Sequence, residues 1–264
     1  VSNWWNSNHQ SKAVTTYTEV VASIDKSKYE SKWQDAVSYN KKVAAIQERG
    51  VFLTEDQKSE YSRQLTVEDT DVMGYVEIPI IDCVLPMYHG TQEEELQVGV
   101  GHIEWTSSSL PVGGESTHSV ISGHRGLPSA KLLSNLDRVV EGDFFVLHVL
   151  NETLTYQVDQ ILIVEPDDVK DLYIEEGKDL CTLVTCTPYG VNSHRLLVRG
   201  HRVDDSLVPE AKIVSDATQI DPYLVAAALG IFILAVVLPI VFISDKIKHK
   251  KNLKTESCDT RGDS

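Results

Sequence analysis

Residues 181–200 read CTLVTCTPYGVNSHRLLVRG. A run rich in β-branched and apolar residues, CTLVTC, meets a Thr-Pro-Tyr-Gly turn, and a second run, RLLVRG, follows the loop TPYGVNSH. Such runs bounded by turn residues predict two strands. If they pair across the loop, Cys186 ends one strand and Arg195 opens the next, with facing residues about 5 Å apart.

Cys186 has four readings: packed thiol, disulfide half, metal ligand or nucleophile. On a single strand Cys181 and Cys186 point to opposite faces and lie about 16 Å apart, so they do not bridge in that conformation. A tetrahedral zinc site calls for short Cys-x-x-Cys or His-x-x-x-His pairs, and neither spacing occurs among the four cysteines and nine histidines. A nucleophile needs a group to manage its proton and donors for a developing oxyanion. Ser122-Gly123-His124-Arg125-Gly126 sets His124 where a β run ends, and Arg195 lies just past the turn after Cys186. Taken singly, such a histidine is ordinarily solvent-facing and such an arginine pairs with a surface carboxylate. Taken together, the three point to thiol chemistry.

Working outward, the β-branched runs begin near Val72: MGYVEIPIIDCVLPMYHG, THSVISGH, DFFVLHVL and LTYQVDQILIVEP, separated by Gly, Pro, Asn and Asp. Their spacing predicts a mostly antiparallel barrel or sandwich, with one short helix near SAKLLSNLDRV. Before them, residues 12–66 space apolar positions three and four apart, as helices do. Trp33, Ala36, Val37, Tyr39 and Asn40 fall near one face, and Thr54 reads as an N-cap ahead of EDQKSEYSRQL.

From Tyr223 to Ile243 runs YLVAAALGIFILAVVLPIVFI, uncharged and about the twenty residues a helix needs to cross a bilayer. Pro239 is tolerable there. Lys246, Lys248, Lys250, Lys251 and Lys254 follow it, while Asp216 and Asp221 precede it. The positive-inside rule therefore predicts a cytoplasmic tail and an extracellular body. The first residue is Val1, and the expectation is that an export signal or N-terminal anchor stood ahead of it. The net charge of −15 argues against nucleic acid as a partner, which requires a basic surface. Four cysteines are too few for a disulfide scaffold, and Cys258 falls in the predicted cytoplasmic tail. The expected domains are a helical section over 1–66, a β-barrel over 67–204, a polar linker over 205–221, a membrane helix over 222–244 and a tail over 245–264.

The stretches TLVTCTPYGVNSHRLLVRG, STHSVISGHRGLPSAKLLSNLD, GYVEIPIIDCVLPMYHG and VDQILIVEPDD resemble those of the sortase family of cysteine transpeptidases, specifically the class C, pilus-assembling sortases. The resemblance runs over about residues 10–250. It implies an eight-stranded sortase-type barrel with short helices, with Cys186 as nucleophile, His124 as acid/base and Arg195 as oxyanion stabiliser, needing no cofactor and no metal. It further implies cleavage of Leu-Pro-x-Thr-Gly-like sorting signals between Thr and Gly and transfer of the acyl group to a pilin lysine. The implied partners are pilin subunits and membrane lipid at a Gram-positive cell surface. Thr185 and Thr187, beside the cysteine, are supporting candidates for a donor to the oxyanion, or plain β-formers.

Class C sortases typically carry an Asp-Pro-aromatic lid in the N-terminal section, where this chain reads QERGVFLTEDQ; Asp221-Pro222-Tyr223 stands instead at the membrane boundary. Arg49, Gly50, Val51 and Phe52 form the candidate lid tip, with Phe52 alternatively an ordinary packing aromatic. Two other readings of the chain are a housekeeping sortase that attaches proteins to peptidoglycan and a barrel that binds sorting signals without catalysis.

Overall fold

The computed structural model describes residues 2–46, 49–127 and 130–207. The expected membrane helix over 222–244, the tail with Cys258 and nearly all of the linker lie outside them. Among the described residues no helix is long and apolar enough to cross a membrane.

Three helices come first: α1 (Ser2–Ser23), α2 (Lys26–Ala44) and α3 (Glu55–Tyr61). Asp25 caps α2 by accepting from the Ser27 amide at 2.9 Å, which satisfies one of the orphan donors of a helix start. Of the predicted face of α2, Ala36, Tyr39 and Asn40 are buried and Trp33 and Val37 partly so, and Val43 is buried with them. Thr54 caps α3 in a reciprocal capping box with Gln57. Tyr17 ties α1 to the sheet by donating to Met73 O at 3.1 Å and accepting from the Leu150 amide at 2.7 Å. Asn40 ties α2 to the loop ahead of β4 through both polar groups of Leu110, at 3.0 and 2.7 Å.

The strands are β1 (Val72–Ile78), β2 (Cys83–His89), β3 (Val100–His102), β4 (Thr117–Ser122), β5 (Phe144–Val149), β6 (Glu152–Val164), β7 (Asp179–Thr187) and β8 (His194–Arg202), with α4 (Glu93–Leu96) between β2 and β3. They close into an eight-stranded barrel in the order β1-β2-β3-β4-β7-β8-β6-β5. Six of the neighbouring pairs are antiparallel, but β2–β3 and β4–β7 are parallel. The helix expected near SAKLLSNLDRV is replaced by a short 3-10 turn at Leu136–Arg138. Leu132 stands at φ 37° there, a left-handed conformation that interrupts a right-handed helix.

The period of two sorts each strand between two apolar clusters. Ile121, Cys181, Leu183, Leu196 and Val198 fill the main core. Val120, Val184 and Leu197 point the other way and join Ile103 and Leu172 in a second, outer cluster, flanked by Trp105, Leu162, Val164 and Val169.

Candidate active site

The three residues singled out from sequence come from strands that are neighbours in the barrel. β7 pairs with β8 so that Cys186 faces Arg195, two positions along from the Val184–Leu197 pair. By alternation both side chains belong to the outer face, at the end of the apolar floor that Val184 and Leu197 help build. β4 runs parallel to β7, with Ser122 opposite Val184. Two residues further along the chain come Cys186, still within β7, and His124, just past the end of β4. Parallel strands end on the same side of a sheet, and this is what brings a histidine some sixty positions away to the strand end that carries Cys186.

Hydrogen bonds stitch the two chain segments together on both sides of that pair. The Gly123 amide donates to Val184 O at 3.0 Å. The Thr185 hydroxyl donates to Gly123 O at 2.8 Å. Arg125 Nη1 donates to Thr187 Oγ1 at 3.1 Å. Thus the residues flanking His124 are bonded to the residues flanking Cys186. Gly123 admits no side chain: a Cβ there would lie 2.8 Å from Leu133 Cδ1 and 2.9 Å from Val100 Cγ1. Arg125 is only 7% exposed and is itself pinned, with Nη2 2.5 Å from Asp137 and Nε donating to Ser134 O at 3.3 Å. Thr185 and Thr187 are buried with their hydroxyls engaged in these bonds.

Burial separates the three described cysteines, all free thiols. Desolvation pushes the Cys83 thiol up to about 12 and the Cys181 thiol well above its ordinary value, so neither supplies a thiolate near neutrality. Cys186 is partly exposed.

Arg125, Arg199 and Arg202 are each paired with carboxylates. Arg195 is not; its Nη1 donates to the backbone oxygens of Asn192 and His194 at 3.3 and 3.1 Å. Its Nε–H and Nη2–H have no protein partner among the described residues, so a forked pair of donors stands ready for an anionic oxygen. His124 Nε2 lies 3.3 Å from Glu93 Oε2 on α4. Sequence reasoning singles out neither Glu93 nor Arg125. Glu93 sits in an undistinguished acidic run, and Arg125 signals itself only by adjacency to His124.

The candidate lid lies beside the outer cluster. The Val51 oxygen accepts from the Thr106 amide at 2.9 Å, and the Leu53 amide donates to Glu104 O at 3.2 Å. Phe52 meets Trp105 edge-on with centroids 5.9 Å apart, yet is 64% exposed. Gly50 stands at φ 69°, where a Cβ would come within 3.0 Å of Tyr173 Cε1. Arg49 donates to Ala44 O at 3.2 Å. The segment therefore reaches from the β3–β4 loop to the β6–β7 connection. That connection is held by Arg199, which pairs with Asp159 at 2.9 Å and Glu175 at 3.0 Å. His118 supports it too, lying 2.9 Å from Tyr173 O through Nδ1 and 2.7 Å from Thr182 Oγ1 through Nε2.

A cavity of about 450 Å³ lies between α1 and the start of β2, lined among others by Gln10, Asp82, Cys83 and Lys131. It includes none of Cys186, His124 and Arg195.

Residues 76–203 match the family model of the sortase domain. The chain is 30% identical over 139 residues to sortase D of Bacillus subtilis and 32% identical over 139 residues to sortase A of Staphylococcus aureus, each match covering 52% of this chain. These matches span 66% and 65% of the two relatives' own lengths. Among solved structures, sortase C1 of Streptococcus agalactiae is 50% identical with a TM-score of 0.70, covering 74% of this chain and 99% of that one. Sortase C of Streptococcus pneumoniae is 48% identical with a TM-score of 0.66, covering 73% and 97%. A lid mutant of S. agalactiae sortase C1 is 44% identical with a TM-score of 0.66, covering 72% and 97%. Sortases are cysteine transpeptidases of Gram-positive cell surfaces, and this chain belongs to the sortase family, in its class C branch.

Proposed function

We propose that this protein is a membrane-anchored pilus-assembling transpeptidase in which Cys186 is the nucleophile, His124 the acid/base and Arg195 the oxyanion stabiliser. The observation that carries the reading is the strand pairing: β8 sets Arg195 opposite Cys186, and β4, parallel to β7, ends at Ser122, two residues before His124, at the same side of the barrel. In this scheme the Cys186 thiol gives its proton to His124, and the thiolate attacks the threonine carbonyl of a Leu-Pro-x-Thr-Gly-like sorting signal. The oxyanion is held by the Nε–H and Nη2–H of Arg195. Collapse of the tetrahedral intermediate breaks the Thr–Gly C–N bond as His124 returns the proton to the glycine nitrogen, leaving a thioester. A lysine ε-amine of a pilin then attacks the thioester and loses its proton to His124. The C–S bond breaks, the isopeptide forms and the sulfur is regenerated. No metal or cofactor enters the balance.

The pilin acceptor is supported by the solved S. pneumoniae sortase C, which is described in terms of pilin substrate specificity. The lid role of Arg49 to Phe52 is supported by their position along the outer cluster and by the lid named for S. agalactiae sortase C1. The hydrophobic run at 223–243 supports membrane anchoring, which would raise the effective concentration of substrates held on the same surface. Thr185 and Thr187 serve in this reading to hold His124 and Cys186 in register.

The test is intact-mass detection of an acyl adduct after incubation with a sorting-signal peptide. The adduct is expected on the wild type and absent from Cys186→Ala. An adduct persisting in Cys186→Ala would overturn the assignment. Offering purified pilin and a peptidoglycan-like amine together separates pilus assembly from wall attachment, and exclusive use of the wall-like amine would refute the pilin reading.

A further inference from the structure

The β2–β3 connection carries α4 to the end of β4. β3 starts at Val100, and the Val100 side chain abuts Gly123, the residue before His124. Glu93, the first residue of α4, puts Oε2 3.3 Å from His124 Nε2. Its other oxygen accepts from Gln97 Nε2 at 3.2 Å, one turn along the helix. The carboxylate is thus held at both ends, one oxygen by its own helix and one by the imidazole.

We infer that Glu93 is a positioning residue for His124, holding the ring's orientation and fixing which ring nitrogen exchanges protons. The inference rests on the reading of His124 as the acid/base. An ionised carboxylate only accepts, so Nε2 carries the hydrogen of this bond. Nδ1 is then the basic atom of the neutral ring, the one that takes the thiol proton and delivers it to the glycine nitrogen. The Gln97 amide first, and His124 second, hold the Glu93 carboxyl below its ordinary range, so it remains an anion wherever the enzyme works near neutrality. Glu93 approaches the imidazole from α4. Cys186 and Arg195 share its sheet end on β7 and β8, and Arg125, next in the chain, is turned into Asp137. Each half-reaction passes through an imidazolium, and the cationic Arg195 at the same strand end opposes that charge. Glu93 is the anion in contact with the ring, so it offsets the opposition and restrains the ring's rotation.

The experiment compares wild type, Glu93→Gln, Glu93→Ala and His124→Ala by steady-state transpeptidation across pH. Because Glu93 is 62% exposed, the effect is that of a surface pair, roughly a two- to fivefold loss of kcat in Glu93→Gln with KM unchanged. The difference between Glu93→Gln and wild type should shrink in high salt, as screening removes what the substitution removes. Glu93→Ala should lose at least as much as Glu93→Gln. A kcat unchanged in Glu93→Gln at low salt, with His124→Ala inactive, would overturn this inference alone. Turnover surviving in His124→Ala would sink the catalytic reading, and this inference with it.

Discussion

The stitch across β4 and β7 yields a direct test of how the surroundings of Cys186 are built. Thr185 is 1% exposed, and its hydroxyl donates at 2.8 Å to Gly123 O, one residue before His124. Thr185→Val keeps the branched shape and deletes that donor. The buried carbonyl of Gly123 loses its partner, a change that costs about 1–3 kcal/mol. For a domain of this size the melting temperature should fall by roughly 3–10 °C. The catalytic effect should exceed the stability effect, because displacing a reacting group by about 1 Å costs on the order of a hundredfold in rate. Hydrolysis of a fluorogenic sorting-signal peptide, assayed well below the melting temperature of each variant, should show kcat reduced about 10- to 100-fold with KM within roughly twofold. Thr185→Ser, which restores the hydroxyl, should recover most of kcat. If Thr185→Val melts earlier but turns over within about twofold of wild type, the stitch holds the fold and not the catalytic geometry.

Three further outcomes follow from the same coordinates. Arg199→Met, which breaks the Arg199 pairs with Asp159 and Glu175 and so frees the β6–β7 connection at Glu175, should lower stability by about 1–3 kcal/mol. It should also raise KM for the peptide while leaving kcat nearly unchanged; a change confined to kcat in steady-state assays would contradict a wall-holding role. His102 and His118 are buried, and desolvation holds both down to about 4. Each folded value lies below the unfolded one, so the unfolded chain binds the extra protons, and stability is lost as pH falls from roughly 6.5 towards 4. The loss is about 3 kcal/mol per group at the acid end, partly offset by Asp179, whose carboxyl burial raises. Denaturant titrations along that window check it, and a flat profile would refute it. Gly50→Ala, at φ 69° and 3.0 Å from Tyr173, costs about 1–2 kcal/mol locally. It should loosen the candidate lid, seen as faster alkylation of Cys186 by a thiol reagent; an unchanged alkylation rate would show that the lid does not guard the sulfur.

Much of this architecture is legible because it is local. The apolar face of α2 and the cap at Thr54 are set by spacing and turn chemistry within a dozen residues, and both appear where the pattern puts them. The pairing of β7 with β8 is likewise readable, since a short loop joining two β-branched runs favours antiparallel neighbours. The supposed helix near SAKLLSNLDRV failed for a non-local reason. The segment packs Leu132, Leu133 and Leu136 into the barrel core and donates the Leu133 amide to His124 O at 3.2 Å, so tertiary contacts override a helical apolar spacing. Glu93 was invisible because nothing in an acidic run says which member meets a histidine 31 residues later.

The parallel pairing of β4 with β7 was equally hidden, and the chemistry depends on it. The chain leaves β4 at Ser122, passes through β5 and β6, and returns at Asp179, and no periodicity records which strand it rejoins. An antiparallel return would put the carboxyl ends of the two strands on opposite sides of the barrel, with His124 and Cys186 separated by its length. Register matters as much as direction. A slip of one residue between β7 and β8 would turn Arg195 or Cys186 from the outer face into the core occupied by Leu183 and Leu196. Under the proposed mechanism, the paired contacts that fix this register would therefore be catalytic determinants even where they touch no substrate. In the proposed mechanism, the buried hydroxyl of Thr185 and the guanidinium of Arg125, bonded to Gly123 and Thr187, would set the angle at which sulfur, imidazole and guanidinium meet a peptide carbonyl.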